Sequence, residues 1–177
     1  MSLKEEKPTV SNKVDLSAFG LSAEEVQTLS QKCTEAKEKA YCRYSHFKVG
    51  ATLLVKDDAP AVSSTGRFIS GANIENASYP VGTCAERVAL GTAVFEGHRY
   101  GSFKALAVAT NTEPGSPASP CGMCRQFIRE FCEPNMPIIM HDRLGGQVVM
   151  TVEHLLPMSF GPDSLPAPGE LDKLERT

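Results

Sequence analysis

The 177-residue sequence has no tryptophan, and aromatic residues make up only 7% of it. Lys and Arg number 18 against 21 Asp and Glu, for a net charge of −3 and a pI near 5.8. The cations are scattered, with no dense run. A surface that grips polynucleotide usually carries a basic face and stacking aromatics, so no nucleic-acid partner is expected. No window approaches the roughly 20 consecutive apolar residues of a membrane span, and no membrane partner is expected either. The opening residues, MSLKEEKPTVSNK, lack the apolar core of a secretory signal. No internal repeat is visible.

Six cysteines are present. They could form three disulfides, but disulfide-stapled secreted chains are usually much shorter, and two of these cysteines sit in C-x-x-C. The expectation is a reduced, cytoplasmic protein with thiolates on a metal. At 41% hydrophobic residues the chain can bury one sizeable core.

Residues 1–20 are polar and read as a flexible extension. Ser22 and Glu25 form a capping-box pattern, followed by apolar Val26, Leu29, Cys33 and Ala36 at helical spacing up to about Tyr41. Residues 49–55 and 68–72 read as a hairpin around a polar loop at 56–66. A helix is predicted from about Cys84 to Gly97, a strand over 105–110, and a Pro-rich irregular segment over 111–120. A helix opens near Cys121 and runs through Phe131. Strands follow at 137–140 and 148–150, then a short helix capped by Thr151. Residues 166–177 read as a flexible tail, leaving one domain over 21–165. Strands alternating with helices argue for an α/β sheet covered on both faces.

The chemistry concentrates in Cys84-Ala85-Glu86 and Pro120-Cys121-Gly122-Met123-Cys124. Cys121 and Cys124 share one face of a helical turn, and C-x-x-C spacing fits one tetrahedral zinc. Cys84 and Cys121 each fall at a predicted helix N-terminus, where unpaired N–H groups favour the thiolate. C-x-x-C alone would equally suit a closed structural knuckle. A third cysteine followed by Ala-Glu points instead to three ligands with one open position, and Glu86 to a proton carrier. Cys33, Cys42 and Cys132 are expected to be non-ligands. Three thiolates on Zn²⁺ leave a formal charge of −1, which Arg87 or Arg125 could offset by hydrogen bonds to sulfur.

These motifs resemble those of the cytidine deaminase family in its three-cysteine, homotetrameric form. The resemblance spans about residues 22–165. It rests on the segments AYCRYSHFKVGA (40–51), GANIENA (71–77), TCAER (83–87), SPCGMCRQ (119–126), Leu155-Leu156-Pro157 and Ser159-Phe160-Gly161-Pro162. It implies a three-layer α/β/α sandwich with a mixed central sheet of about five strands, one zinc per chain and sites shared between subunits. By resemblance, Asn73 and Glu75 hold a ribose hydroxyl, Phe47 packs on the base, and the Ala85 N–H meets the ring carbonyl. Ala77 and Tyr79 resemble positions near the 5′-hydroxyl in a neighbouring subunit, and Phe160 an aromatic reaching a neighbour's site. The 56–67 loop, longer than in the shortest relatives, and residues 111–119 depart from the pattern.

The implied activity is hydrolytic deamination of cytidine and 2′-deoxycytidine. Rival readings are deamination of a cytosine-nucleoside antibiotic, cytosine editing on RNA or DNA, and a zinc-stabilised binding module without turnover. The segment 73–76 argues against the antibiotic, and the acidic charge and missing tryptophan against editing.

Overall fold

In the computed structural model, residues 14–57 and 67–166 are described. The 58–66 part of the long loop and both chain ends beyond these limits lie outside them. Among the described residues four α-helices and five strands follow one another: α1 (Ala23–Lys37), β1 (Val49–Val55), β2 (Phe68–Ala72), α2 (Ala85–Phe95), β3 (Phe103–Thr110), α3 (Gly122–Phe131), β4 (Pro137–His141), β5 (Gln147–Thr151) and α4 (Val152–Leu155). The sheet order is β2-β1-β3-β4-β5. Only β3 and β4 run parallel; the other three pairs are antiparallel. The parallel pair needs a crossover, and α3 lies within it.

Strand alternation builds the two cores. Ala51, Leu53, Leu106, Val108, Ile138 and Met140 belong to a buried cluster with Ala89, Leu90 and Ile128 of α2 and α3. The intervening Leu54, Ala105, Ala107, Ala109 and Ile139 belong to another with Leu29 and Cys33 of α1. Both faces are therefore apolar, as a sheet between helix layers requires. The expected three-layer arrangement is observed.

Two glycines set how closely helices approach. A Cβ on Gly50 would lie 2.1 Å from the Cys33 carbonyl oxygen of α1. One on Gly71 would lie 2.5 Å from the Ala89 nitrogen and 2.7 Å from the Ala85 oxygen of α2. The second contact fixes where the N-terminus of α2, and hence Cys84, sits above the sheet.

The capping box closes as read: Glu25 N–H donates to Ser22 Oγ (3.1 Å) and Ser22 N–H to Glu25 Oε2 (2.9 Å). Two expectations need correction. Helix α1 ends at Lys37, short of Tyr41, because Tyr41 leaves to pair with the 73–75 segment. Its N–H donates to Asn73 O and its carbonyl accepts from Glu75 N–H. Residues 16–20 are not part of a flexible extension either. Leu16–Phe19 form a 3-10 turn closed by Gly20 at φ 71°, and Leu16 and Leu21 are buried with the α1-side cluster. Among the described residues no helix is long and apolar enough to cross a membrane.

Candidate metal centre and active site

Cys84 occupies the N-cap of α2 and Cys121 that of α3. Ser22 and Thr151 use their side chains to cap their own helices. Cys84 and Cys121 make no such bond, so their sulfurs are free for another partner. Cys124 adds its sulfur from the first turn of α3. All three sulfurs lie within 4.8 Å of one another, Cys84 and Cys121 at 3.9 Å. A disulfide needs about 2.05 Å, whereas tetrahedral zinc with Zn–S near 2.3 Å spaces its sulfurs about 3.8 Å apart. The geometry and soft donor set fit zinc.

The electrostatics agree. The Cys84 thiol falls to about 5, first through its hydrogen bond with Cys124 and against its burial, with Cys121 and Arg87 assisting. Cys124 is pushed up by that same bond, by burial and by the Glu86 charge. One thiolate forms readily and the next resists, a cost that a dication removes. Burial opposes the Arg87 charge, but Cys84 and Cys124 outweigh it. Arg87 Nη2 donates to Gly82 O (3.2 Å), and its buried Nε has no partner.

Glu86 is 3% exposed, and its Oε2 is buried without a hydrogen-bond partner. Burial raises its pKa, and the neighbouring Cys84 charge adds to this. A buried carboxyl with a raised pKa beside a thiol cluster is suited to taking and returning a proton.

A cavity of about 610 Å³ opens in front of this cluster, and Phe47, Asn73, Glu75, Tyr79, Cys84, Glu86, Arg87 and Cys121 help to line it. The structure thus brings together most of the residues singled out in the sequence. Ala85 opens α2, where a backbone N–H lacks a partner within the helix, and its side chain is buried in the core. Exposed Ala77 sits in a turn where Ser78 N–H donates to Asn76 Oδ1. Ala77 and Phe160 are not part of the cavity wall in this chain. Cys33 and Cys132 are buried in the two cores, and burial pushes both thiols up, Cys33 to about 12. Cys42 is likewise buried and outside the cluster.

Arg125 is placed differently from expectation. Its Nε donates to Pro120 O (2.7 Å), Nη1 to Leu155 O (2.9 Å) and Nη2 to Ser119 Oγ (2.7 Å). It clasps the backbone entering α3, and oxygens rather than sulfurs receive its hydrogen bonds. Asn73 and Glu75 make contacts that the sequence did not reveal. Asn73 Oδ1 accepts from Val49 N–H, and its Nδ2 donates to Phe47 O, both at 2.9 Å. Glu75 accepts from the N–H groups of Tyr44 (2.8 Å) and Ser45 (3.3 Å) and from the Ser45 hydroxyl. The two side chains fold segment 44–49 over the cavity and so seat Phe47. Ser45, Thr83, Ala118 and Ser119 line the cavity unforeseen. All four lie inside or beside quoted motifs, and no residue type marked them.

The family model for the cytidine and deoxycytidylate deaminase zinc-binding region matches residues 23–140. A cytidine deaminase of Sporosarcina psychrophila is 44% identical over 141 residues, covering 80% of this chain and 95% of that protein. A probable cytidine deaminase of Dictyostelium discoideum is 36% identical over 155 residues, covering 88% and 97%. The crystal structure of cytidine deaminase from Burkholderia pseudomallei superposes with a TM-score of 0.68 at 40% identity, covering 76% of this chain and 98% of that one. With the family model over residues 23–140 and this coverage on both sides, the chain belongs to the cytidine and deoxycytidylate deaminase family.

Proposed function

We propose that this protein converts cytidine and 2′-deoxycytidine with water to uridine and 2′-deoxyuridine, releasing ammonia. The observation that carries this reading is the buried, partnerless Glu86 Oε2, on a residue that lines the same cavity as Cys84 and Cys121 of the three-sulfur cluster. Cys84, Cys121 and Cys124 would hold zinc. When bound, zinc supplies a Lewis acid that makes water a nucleophile at neutral pH.

Glu86 takes a proton from the attacking water and places it on N3 as the oxygen bonds to C4. It then carries the remaining hydroxyl proton to the amino nitrogen. The C4–N bond breaks, C4 becomes a carbonyl, and ammonia leaves. Burial favours this shuttle because it raises the affinity of the carboxylate for the proton it must accept. Phe47 offers a ring to the base. Asn73 retains an N–H and Glu75 retains lone pairs beyond those used on segment 44–49, so both can still meet a sugar hydroxyl. Arg87 offsets the thiolate charge, while Arg125 holds the approach to Cys121.

The assembly is proposed to be a homotetramer. Tyr79 is 75% and Phe160 58% exposed in the single chain, which suits side chains that reach a neighbouring copy. The proposed location is the cytoplasm. The antibiotic and polynucleotide readings gain no support, since the relatives reported above are named cytidine deaminases. Falling ultraviolet absorbance on cytidine, with stoichiometric ammonia, tests the activity. Zinc-loaded protein that releases no ammonia would refute it. Sedimentation tests the assembly.

A further inference from the structure

Residues 111–120 join β3 to α3, contribute Ala118 and Ser119 to the cavity wall and deliver Cys121 to the cluster. The segment has no regular structure, and Pro114, Pro117 and Pro120 offer it no N–H groups. Its position must therefore come from a few ties. Arg143 N–H donates to Thr112 O (3.2 Å), and the Arg143 guanidinium meets Glu113 at 2.6 Å. That ion pair is exposed, at 49% and 74%, so it contributes little. Ser116 N–H turns inward to Glu113 O.

Asn111 Nδ2 donates to His46 O, the Thr112 hydroxyl meets that of Thr110, and Arg125 holds Ser119 and Pro120 at the far end; the tie at the middle of the segment is Gly115 N–H to Asp142 Oδ2 at 2.7 Å. Asp142 follows β4 and is 3% exposed. Its Oδ1 accepts from Leu144 and Gly146 N–H, each at 2.9 Å. Gly146 is required beside it, because a Cβ there would lie 2.4 Å from Oδ2. Among the described residues no salt bridge involves Asp142, so backbone N–H groups carry the burden of its buried charge. One oxygen serves its own turn, and the other is given to the segment beside the cavity.

We propose that Asp142 is a positioning residue: its carboxylate locks the β4–β5 turn to the Gly115 amide and thereby, with Arg125 holding the far end at Ser119 and Pro120, sets the Ala118–Ser119 wall of the substrate cavity. The inference rests on that cavity being the nucleoside site.

Asp142→Asn separates the two ties. Its amide oxygen can keep Leu144 and Gly146, leaving an NH₂ group facing the Gly115 N–H, donor against donor. Hydrogen exchange over residues 112–119 should then quicken about tenfold or more while the sheet stays protected. The KM for cytidine should rise about three- to tenfold, with kcat and zinc per chain near wild type, since the wall moves but the reacting groups do not. Arg143→Ala, which removes the exposed ion pair, should change neither constant. Unaltered exchange in Asp142→Asn overturns the anchoring role. Faster exchange with an unchanged KM overturns the link to the cavity while leaving cytidine turnover intact. The wild-type protein gives an independent reading should the variant not fold. Its Gly115 amide should exchange far more slowly than that of Ala118, and an equally rapid Gly115 amide refutes the tie.

Discussion

Gly71→Ala tests how the sheet positions the cysteine cluster, without altering Cys84, Glu86, Cys121 or Cys124. The added Cβ would lie 2.5 Å from Ala89 N, 2.7 Å from Ala85 O and 2.9 Å from Val88 Cβ, two of them backbone atoms that cannot rotate away. Ordinary contact needs about 3.5 Å, so α2 must lift from β2 by roughly 1 Å at its first turns. Overpacking of this kind costs about 1–3 kcal/mol, or roughly 2–12 °C in a domain of this size. The same lift displaces Cys84 and Glu86, and misplacement of about 1 Å can cost ~10²-fold in turnover. Gly91→Ala is the matched control. Gly91 lies within α2, exposed, with nothing within 4 Å of an added Cβ. It should gain about 0.5–1 kcal/mol from helix propensity and leave kcat unchanged. Thermal unfolding and cytidine kinetics of the two zinc-loaded variants make the comparison. A Gly71→Ala protein with wild-type melting temperature and kcat refutes the claim that this contact seats α2.

Single Ala replacements of Cys84, Cys121 and Cys124 should each lower zinc content, whereas those of Cys33, Cys42 and Cys132 should not; metal analysis per chain decides. Glu75→Ala should lower efficiency on cytidine about ten- to hundredfold, from hydrogen bonds to a charged group worth about 1.5–3 kcal/mol. Because Glu75 also holds Tyr44 and Ser45, an equal loss on free cytosine would assign its whole effect to seating segment 44–49. Burial would raise the Glu25 pKa, but Lys104, Ser22 N–H and Arg67 outweigh it and bring it to about 2 from an ordinary 4.5. Its stabilisation is complete above pH 4.5 and is lost as pH falls toward 2. Denaturant titrations across that window should show wild type losing on the order of 2 kcal/mol more than Glu25→Gln.

The cysteine cluster was legible because ligand type, C-x-x-C spacing and helix N-cap position are local features that survive without tertiary knowledge. The same holds for the capping box at Ser22 and for strands such as β3, whose two interleaved apolar sets mark a sheet buried on both faces. What escaped is set by contacts between distant segments. Tyr41 abandons α1 for a bridge to Ile74, which no propensity at Tyr41 signals. Leu16 looked like part of a polar extension until the α1-side cluster accepted it. Arg125 follows Cys124 in sequence yet its Nη1 reaches the Leu155 carbonyl. Asn73 and Glu75 serve segment 44–49, a pairing invisible from their own spacing. Asp142 carried no motif at all, because its role arises from a turn meeting a proline-rich loop.

The central claim is that Glu86 is the proton carrier of a zinc-dependent deaminase. Single-turnover measurement of zinc-loaded Glu86→Gln on cytidine, with zinc quantified in the same sample, tests it most directly. Gln preserves shape but cannot accept the proton. The rate should fall well beyond the ~10²–10⁴-fold typical of one acid–base group, because Glu86 serves several transfers, while zinc per chain and folding stay at wild-type levels. Near-normal turnover at full zinc occupancy would contradict the account, and zinc lost in parallel with activity would make Glu86 a support of the metal cluster instead.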